Sequence, residues 1–117
     1  MTEDTTGDTQ GSLQGSPQES PQENGAVPVL TRTLEVCNRR GLHARAAAKF
    51  VTLAERFGAA VEVVKDGQSV SARSIMGLMM LGAGRGSSLE LRAEGWDAKE
   101  ALDALAALVE AGFNEQE

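Results

Sequence analysis

The chain contains a single histidine, His43, and four cations crowd the same stretch: Arg39, Arg40, Arg45 and Lys49. A neutral imidazole nitrogen is a competent nucleophile towards phosphorus, whereas imidazolium is not. Helical apolar spacing begins directly after His43, so the ring falls at a helix N-terminus, where unpaired backbone N–H groups and the macrodipole attract an anion. That helix end and the neighbouring cations disfavour imidazolium and stabilise a phosphate dianion once it has arrived. The residues by themselves leave two readings of His43 open, a plain helix cap or a nucleophile that takes up a phosphoryl group. No metal or cofactor is expected, because the lone Cys37 has no partner cysteine and no cluster of His with carboxylates offers a ligand set.

Two motifs bear on that choice. Gly41-Leu42-His43-Ala44-Arg45 resembles the active-site loop of HPr, the histidine phosphocarrier family of the bacterial phosphotransferase system, and Ala72-Arg73-Ser74-Ile75-Met76-Gly77-Leu78-Met79 resembles the second signature of that family. The motifs stand in the family's order and at about its separation, and the likeness runs from about Leu30 to Val109.

The resemblance implies a phosphoryl-carrier intermediate rather than a catalyst with turnover of its own. Phosphate would pass from phosphorylated enzyme I to Nδ1 of His43 and on to a histidine of an enzyme IIA component. Arg45 would pair with the phosphate through two parallel N–H bonds, and the backbone of Ala44, Arg45 and Ala46 would face it. One position departs from the family pattern: Ala46 stands where Pro is usual, which restores a backbone N–H near the helix start and removes a fixed φ. Ser74 corresponds to a serine that HPr kinase/phosphorylase modifies in some members. Independently of that, Ser74 has the chemistry of a helix N-cap. A rival reading is a regulatory binding module of the same fold, of the nitrogen type, which signals through its phosphorylation state and carries no flux to sugars.

These residues must be positioned by the elements around them. Leu30 to Val36 alternates as a half-buried strand, with Arg32 as the exception on the apolar face; a wet strand end would accommodate it. Ala47, Phe50, Val51, Ala54 and Phe57 recur at helical spacing, which predicts a helix from Ala44 to Phe57 closed by Gly58 in a left-handed conformation. Ala59 to Lys65, Asp66-Gly67 and Gln68 to Ala72 read as a hairpin. Ser74 then opens a short apolar helix that stops at Gly82, and Ser87 to Ala93 alternates as the clearest strand of the chain. Asp97 and Glu100 have capping-box spacing ahead of a stripe of Ala101, Leu102, Leu105, Leu108 and Val109 that ends at Gly112. The order is β-α-β-β-α-β-α. Strands with one apolar face need a single covering layer, so the fold class is α+β, a two-layer open-faced sandwich with three helices on one face of a four-stranded antiparallel sheet; the resemblance implies the same fold.

A helix of under two turns cannot bury Ile75, Met76, Leu78, Met79, Met80 and Leu81 against one sheet. Leu78 and Leu81 are assigned to the core, and Ile75, Met76 and Met79 to an outward patch, adaptable because of its methionines and suited to docking partners. Cys37 is expected to pack at a strand end.

Composition sets a low-complexity segment over residues 1–28 apart from a folded domain over 29–112, which the resemblance implies is the carrier, and a short C-terminal tail over 113–117. Five of the 17 acids (Glu3, Asp4, Asp8, Glu19, Glu23) and none of the 11 Lys and Arg lie in residues 1–28, which leaves 12 acids against 11 bases in the remainder. Ser16-Pro17-Gln18-Glu19 repeats at once as Ser20-Pro21-Gln22-Glu23, a composition that buries too little apolar surface to offset ordering, so disorder is expected there. A near-neutral domain in a chain with only 3% aromatic residues argues against nucleic-acid binding. No apolar run suffices for a membrane span and the N-terminus lacks a signal-peptide pattern, so a cytoplasmic location is expected; a monomer without a membrane partner is expected as well.

Overall fold

The computed structural model describes residues 28–115. The expected disorder of residues 1–28 falls, apart from Pro28, outside the described residues. The chain runs through β1 (Leu30–Glu35), α1 (Ala44–Ala54), β2 (Ala60–Lys65), β3 (Gln68–Ser71), α2 (Ile75–Met80), β4 (Ser88–Glu94), α3 (Ala98–Glu110) and a 3₁₀ turn at Gly112–Asn114. The strands form one antiparallel sheet in the order β1-β4-β2-β3. The α+β order is therefore the expected one, with the last strand of the sequence inserted between the first two.

Strand β4 alternates cleanly because both its edges are paired and one face is buried: Leu89, Leu91 and Ala93 point into the core, while Ser88, Arg92 and Glu94 face water. Its register sets Leu89 opposite Leu34 on one side and Leu91 opposite Val63 on the other. The helical stripes close over this face, with Ala47, Phe50 and Ala54 from α1, Leu78 from α2, and Ala101, Leu105 and Val109 from α3. Arg32 has the inward parity and pairs with Leu91, yet it is exposed: its guanidinium runs out past α3 and donates to Asp103 Oδ1 at 2.7 Å. Lys99 donates to the other oxygen of Asp103 at 2.9 Å, and this bond is the main cause that holds the Asp103 carboxyl below its ordinary range. The hairpin turns on Asp66 and Gly67, both with positive φ (50° and 82°), as a two-residue loop requires.

Helix ends depart from the sequence expectation at two linked places. Helix α1 stops at Ala54 rather than Phe57, and Gly58 is not left-handed. The chain instead tightens through Arg56 N–H to Leu53 O (3.0 Å) and Phe57 N–H to Ala54 O (3.2 Å). The next two amides, Gly58 and Ala59, donate to Asp97 Oδ2 and Oδ1 at 2.9 and 2.8 Å. Asp97 is thereby withdrawn from capping its own helix: it holds the N-cap position of α3 but makes no side-chain cap bond, so the capping box with Glu100 does not form. A long-range demand for an acceptor, from two amides that donate to Asp97, outweighs the local cap. Cys37, expected to pack at a strand end, is exposed, with Sγ against the carbonyls of Val109 and Glu110.

Candidate functional site

The loop that carries His43 is fixed by backbone bonds to the loop between α2 and β4. Val36 N–H donates to Ser87 O at 2.8 Å, Gly86 N–H to Val36 O at 2.7 Å, and Leu42 N–H to Ala83 O at 2.9 Å. Gly41 makes this possible with φ +67°, and a Cβ there would lie 2.3 Å from Ala83 O. Only glycine fits that approach. Leu42 is buried beside it, and the chain then enters α1.

His43 is the N-cap residue of α1, with extended backbone and its carbonyl accepting from Ala47 N–H at 2.8 Å; its side chain makes no cap bond. The amides of Ala44, Arg45 and Ala46 precede the first bonded turn and donate to no backbone carbonyl, as at any helix start. Arg45 is exposed and makes no hydrogen bond or ion pair among the described residues; Ala46 is fully buried as the third helical residue. Arg39 and Arg40 are exposed on the preceding turn. Beyond Arg45, a groove is lined by Lys49, Leu53, Arg56 and Leu108.

The imidazole is partly covered, with 17% of its side chain exposed, and what covers it comes from the far end of the sequence. Nε2 of His43 is bonded to Oε2 of Glu115. The other oxygen, Oε1, accepts from Asn38 Nδ2 at 3.0 Å, and the same amide group donates to Gly41 O at 2.9 Å. Those contacts hold the Glu115 carboxyl below its ordinary range: the Asn38 bond first, opposed by burial, then His43 and the charge of Lys49. An ionised carboxylate only accepts, so Nε2 carries the hydrogen and, in the neutral ring, Nδ1 holds the lone pair. Nδ1 makes no hydrogen bond among the described residues.

Sequence reasoning placed Glu115 in a tail. The structure buries Phe113 completely and carries Glu115 onto the ring through a contact that spans 72 positions. The only local signal was Gly112, read as a stop and found at φ +65°. Lys49, read as a cation for the phosphate, spends its ammonium on Phe113 O at 2.7 Å.

Ser74 caps α2, its Oγ accepting from Gly77 N–H at 2.9 Å. Leu78 and Leu81 are buried, while Ile75, Met76 and Met79 are 41%, 70% and 42% exposed, and Met80, not assigned to the patch from sequence, is 74% exposed. Helix α2 leads through Gly82 into Ala83, whose carbonyl holds Leu42 N–H, so the apolar patch and the histidine loop are joined at the same corner of the molecule. No helix among the described residues is long and apolar enough to cross a membrane.

A single face of helices over four antiparallel strands, with one histidine presented at the start of the first helix, defines a small open-faced α+β sandwich. A family profile described as "PTS HPr component phosphorylation site" matches residues 30–111. The chain is 46% identical over 86 residues to phosphocarrier protein NPr of Shewanella violacea, across 74% of this chain and 94% of that one. It is 47% identical over 89 residues to phosphocarrier protein HPr of Cupriavidus necator, across 76% of this chain and all of that one. Among solved structures, HPr-C-His from Thermoanaerobacter tengcongensis superposes with a TM-score of 0.72 at 45% identity, covering 75% of this chain and 99% of that one. The chain belongs to the HPr family of phosphotransferase-system phosphocarriers.

Proposed function

We propose that the chain accepts a phosphoryl group from enzyme I on Nδ1 of His43 and delivers it to a histidine of an enzyme IIA component. The observation that carries this reading is the state of the ring: Nε2 is committed to Glu115, and Nδ1 keeps its lone pair unengaged at an open helix start. The amides of Ala44, Arg45 and Ala46 and the guanidinium of Arg45 supply charge stabilisation, which is nearly all that phosphoryl transfer asks of a carrier. Ile75, Met76 and Met79, with Met80, form the docking patch for these partners, and the chain works as a cytoplasmic monomer. Incubation with phosphoenolpyruvate and enzyme I should give acid-labile label on wild type and none on His43→Ala; full labelling of the variant refutes the assignment.

Ser74 is the proposed regulatory site, where a dianion at the start of α2 changes the surface next to the patch. HPr kinase/phosphorylase with ATP should place acid-stable label on wild type and none on Ser74→Ala. Nitrogen-type regulation is the second reading, favoured by the near-equal similarity to an NPr and to an HPr. A screen of phosphorylated chain against candidate enzyme IIA components separates it from sugar flux.

A further inference from the structure

The last described turn is built against its own backbone preference. Gly112, Phe113 and Asn114 all have left-handed φ (65°, 57° and 59°); glycine adopts this freely and asparagine tolerates it, so the cost falls on Phe113. Three contacts hold it: the fully buried Phe113 ring, the Lys49 ammonium on Phe113 O, and the Asn38 amide on Glu115. Asn38 is itself buried, and its Oδ1 has no hydrogen-bond partner among the described residues. Strain and a stranded polar atom are tolerated at one spot, and what they deliver there is a carboxylate on Nε2 of His43.

We propose that Glu115 is a positioning residue for transfer at His43. This rests on the reading of His43 as the phosphoacceptor and assigns the group behind it. When the Nδ1 lone pair forms the new P–N bond, the donor's P–N bond breaks and its electron pair returns to the donor nitrogen. The His43 ring, protonated at Nε2 throughout, gains a positive charge shared by its two nitrogens. Glu115 already faces that charge, so no proton moves in the step. On outward transfer the ring leaves as the neutral tautomer it started from. The site thus separates its charges: Arg45 and the helix amides serve the phosphate, and Glu115 serves the ring. The Phe113 turn and Asn38 set the angle at which the carboxylate meets the ring, as a ligand's outer partners do at a metal site.

The test uses the full chain and two readouts. In proton NMR, wild type should show a downfield, slowly exchanging Nε2–H resonance of His43 that Glu115→Gln retains and Glu115→Ala loses. In single-turnover transfer from phosphorylated enzyme I, Glu115→Ala should be slower by about tenfold or more, with Glu115→Gln in between because it keeps an acceptor and loses the charge. An unlabelled wild type overturns the carrier reading and this inference with it. A labelled wild type with Glu115→Ala transferring at the same rate, or a wild type without the Nε2–H signature, overturns this inference alone.

Discussion

Asp97→Ser separates the two roles open to that side chain. A serine serves a helix N-cap as well as aspartate does, so if Asp97 acted as the capping residue suggested by its spacing to Glu100, the substitution would be nearly silent. In the structure the carboxylate instead takes two amides of the α1–β2 connection, at 2.9 and 2.8 Å. Serine has one short-reach oxygen and cannot bridge both. Gly58 lies at the surface and its N–H can turn to water, whereas Ala59 is 1% exposed and its N–H would be stranded. A buried unpaired donor costs about 1–3 kcal/mol and a lost bond to a charged group about 1.5–3 kcal/mol. The loss for Asp97→Ser should therefore be about 3 kcal/mol, close to that for Asp97→Ala, with Asp97→Asn losing about half as much. For a domain of this size that lowers Tm by roughly 15 °C. Urea denaturation followed by far-ultraviolet circular dichroism at neutral pH gives the ranking. Wild-type stability in Asp97→Ser would refute the bridging role and restore the cap.

Gly41→Ala places a Cβ 2.3 Å from Ala83 O at positive φ, so it should cost about 3 kcal/mol and loosen the His43 loop, measurable by denaturation and by amide exchange at Leu42. Leu78→Ala should lose roughly 2–5 kcal/mol in the same assay, whereas Met76→Ser and Met80→Ser should stay within about 0.5 kcal/mol and weaken only the enzyme I complex proposed above. Glu115 is held below its ordinary value of 4.5, so its contribution to stability should be fully present above that pH and lost as pH falls through the lower folded value. Denaturation of wild type and Glu115→Gln across that range should give curves that converge in acid.

Elements with a period were readable before the structure. Leu89, Leu91 and Ala93 in β4, the stripe from Ala101 to Val109, the Asp66-Gly67 turn and the Ser74 cap are each determined by neighbours within a few residues. The burial of Leu78 and Leu81 followed from the shortness of α2, whereas the outward set of Ile75, Met76 and Met79 came with the family resemblance and left out Met80, which is 74% exposed. What escaped was set by distant demand. Asp97 looks like a cap until two amides 38 and 39 positions away require an acceptor, and Arg32 looks misplaced until Asp103 stands beside it. Glu115 carries no pattern at all: its significance comes from the left-handed Phe113 and the buried Asn38, neither of which has a local signature. The place of His43 at the start of α1 was legible, and the Glu115 carboxylate beside it was not.

The two ends of the described chain stand in unequal relation to His43. Leu30 begins β1 a full strand length from the loop that β1 feeds, about 17 Å at 3.4 Å per residue, whereas Glu115 rests on the ring itself. The start of β1 therefore stands clear of the His43 loop. A tag joined just after Glu115 would pull on the imidazole, so affinity handles and fluorophores belong at the amino end.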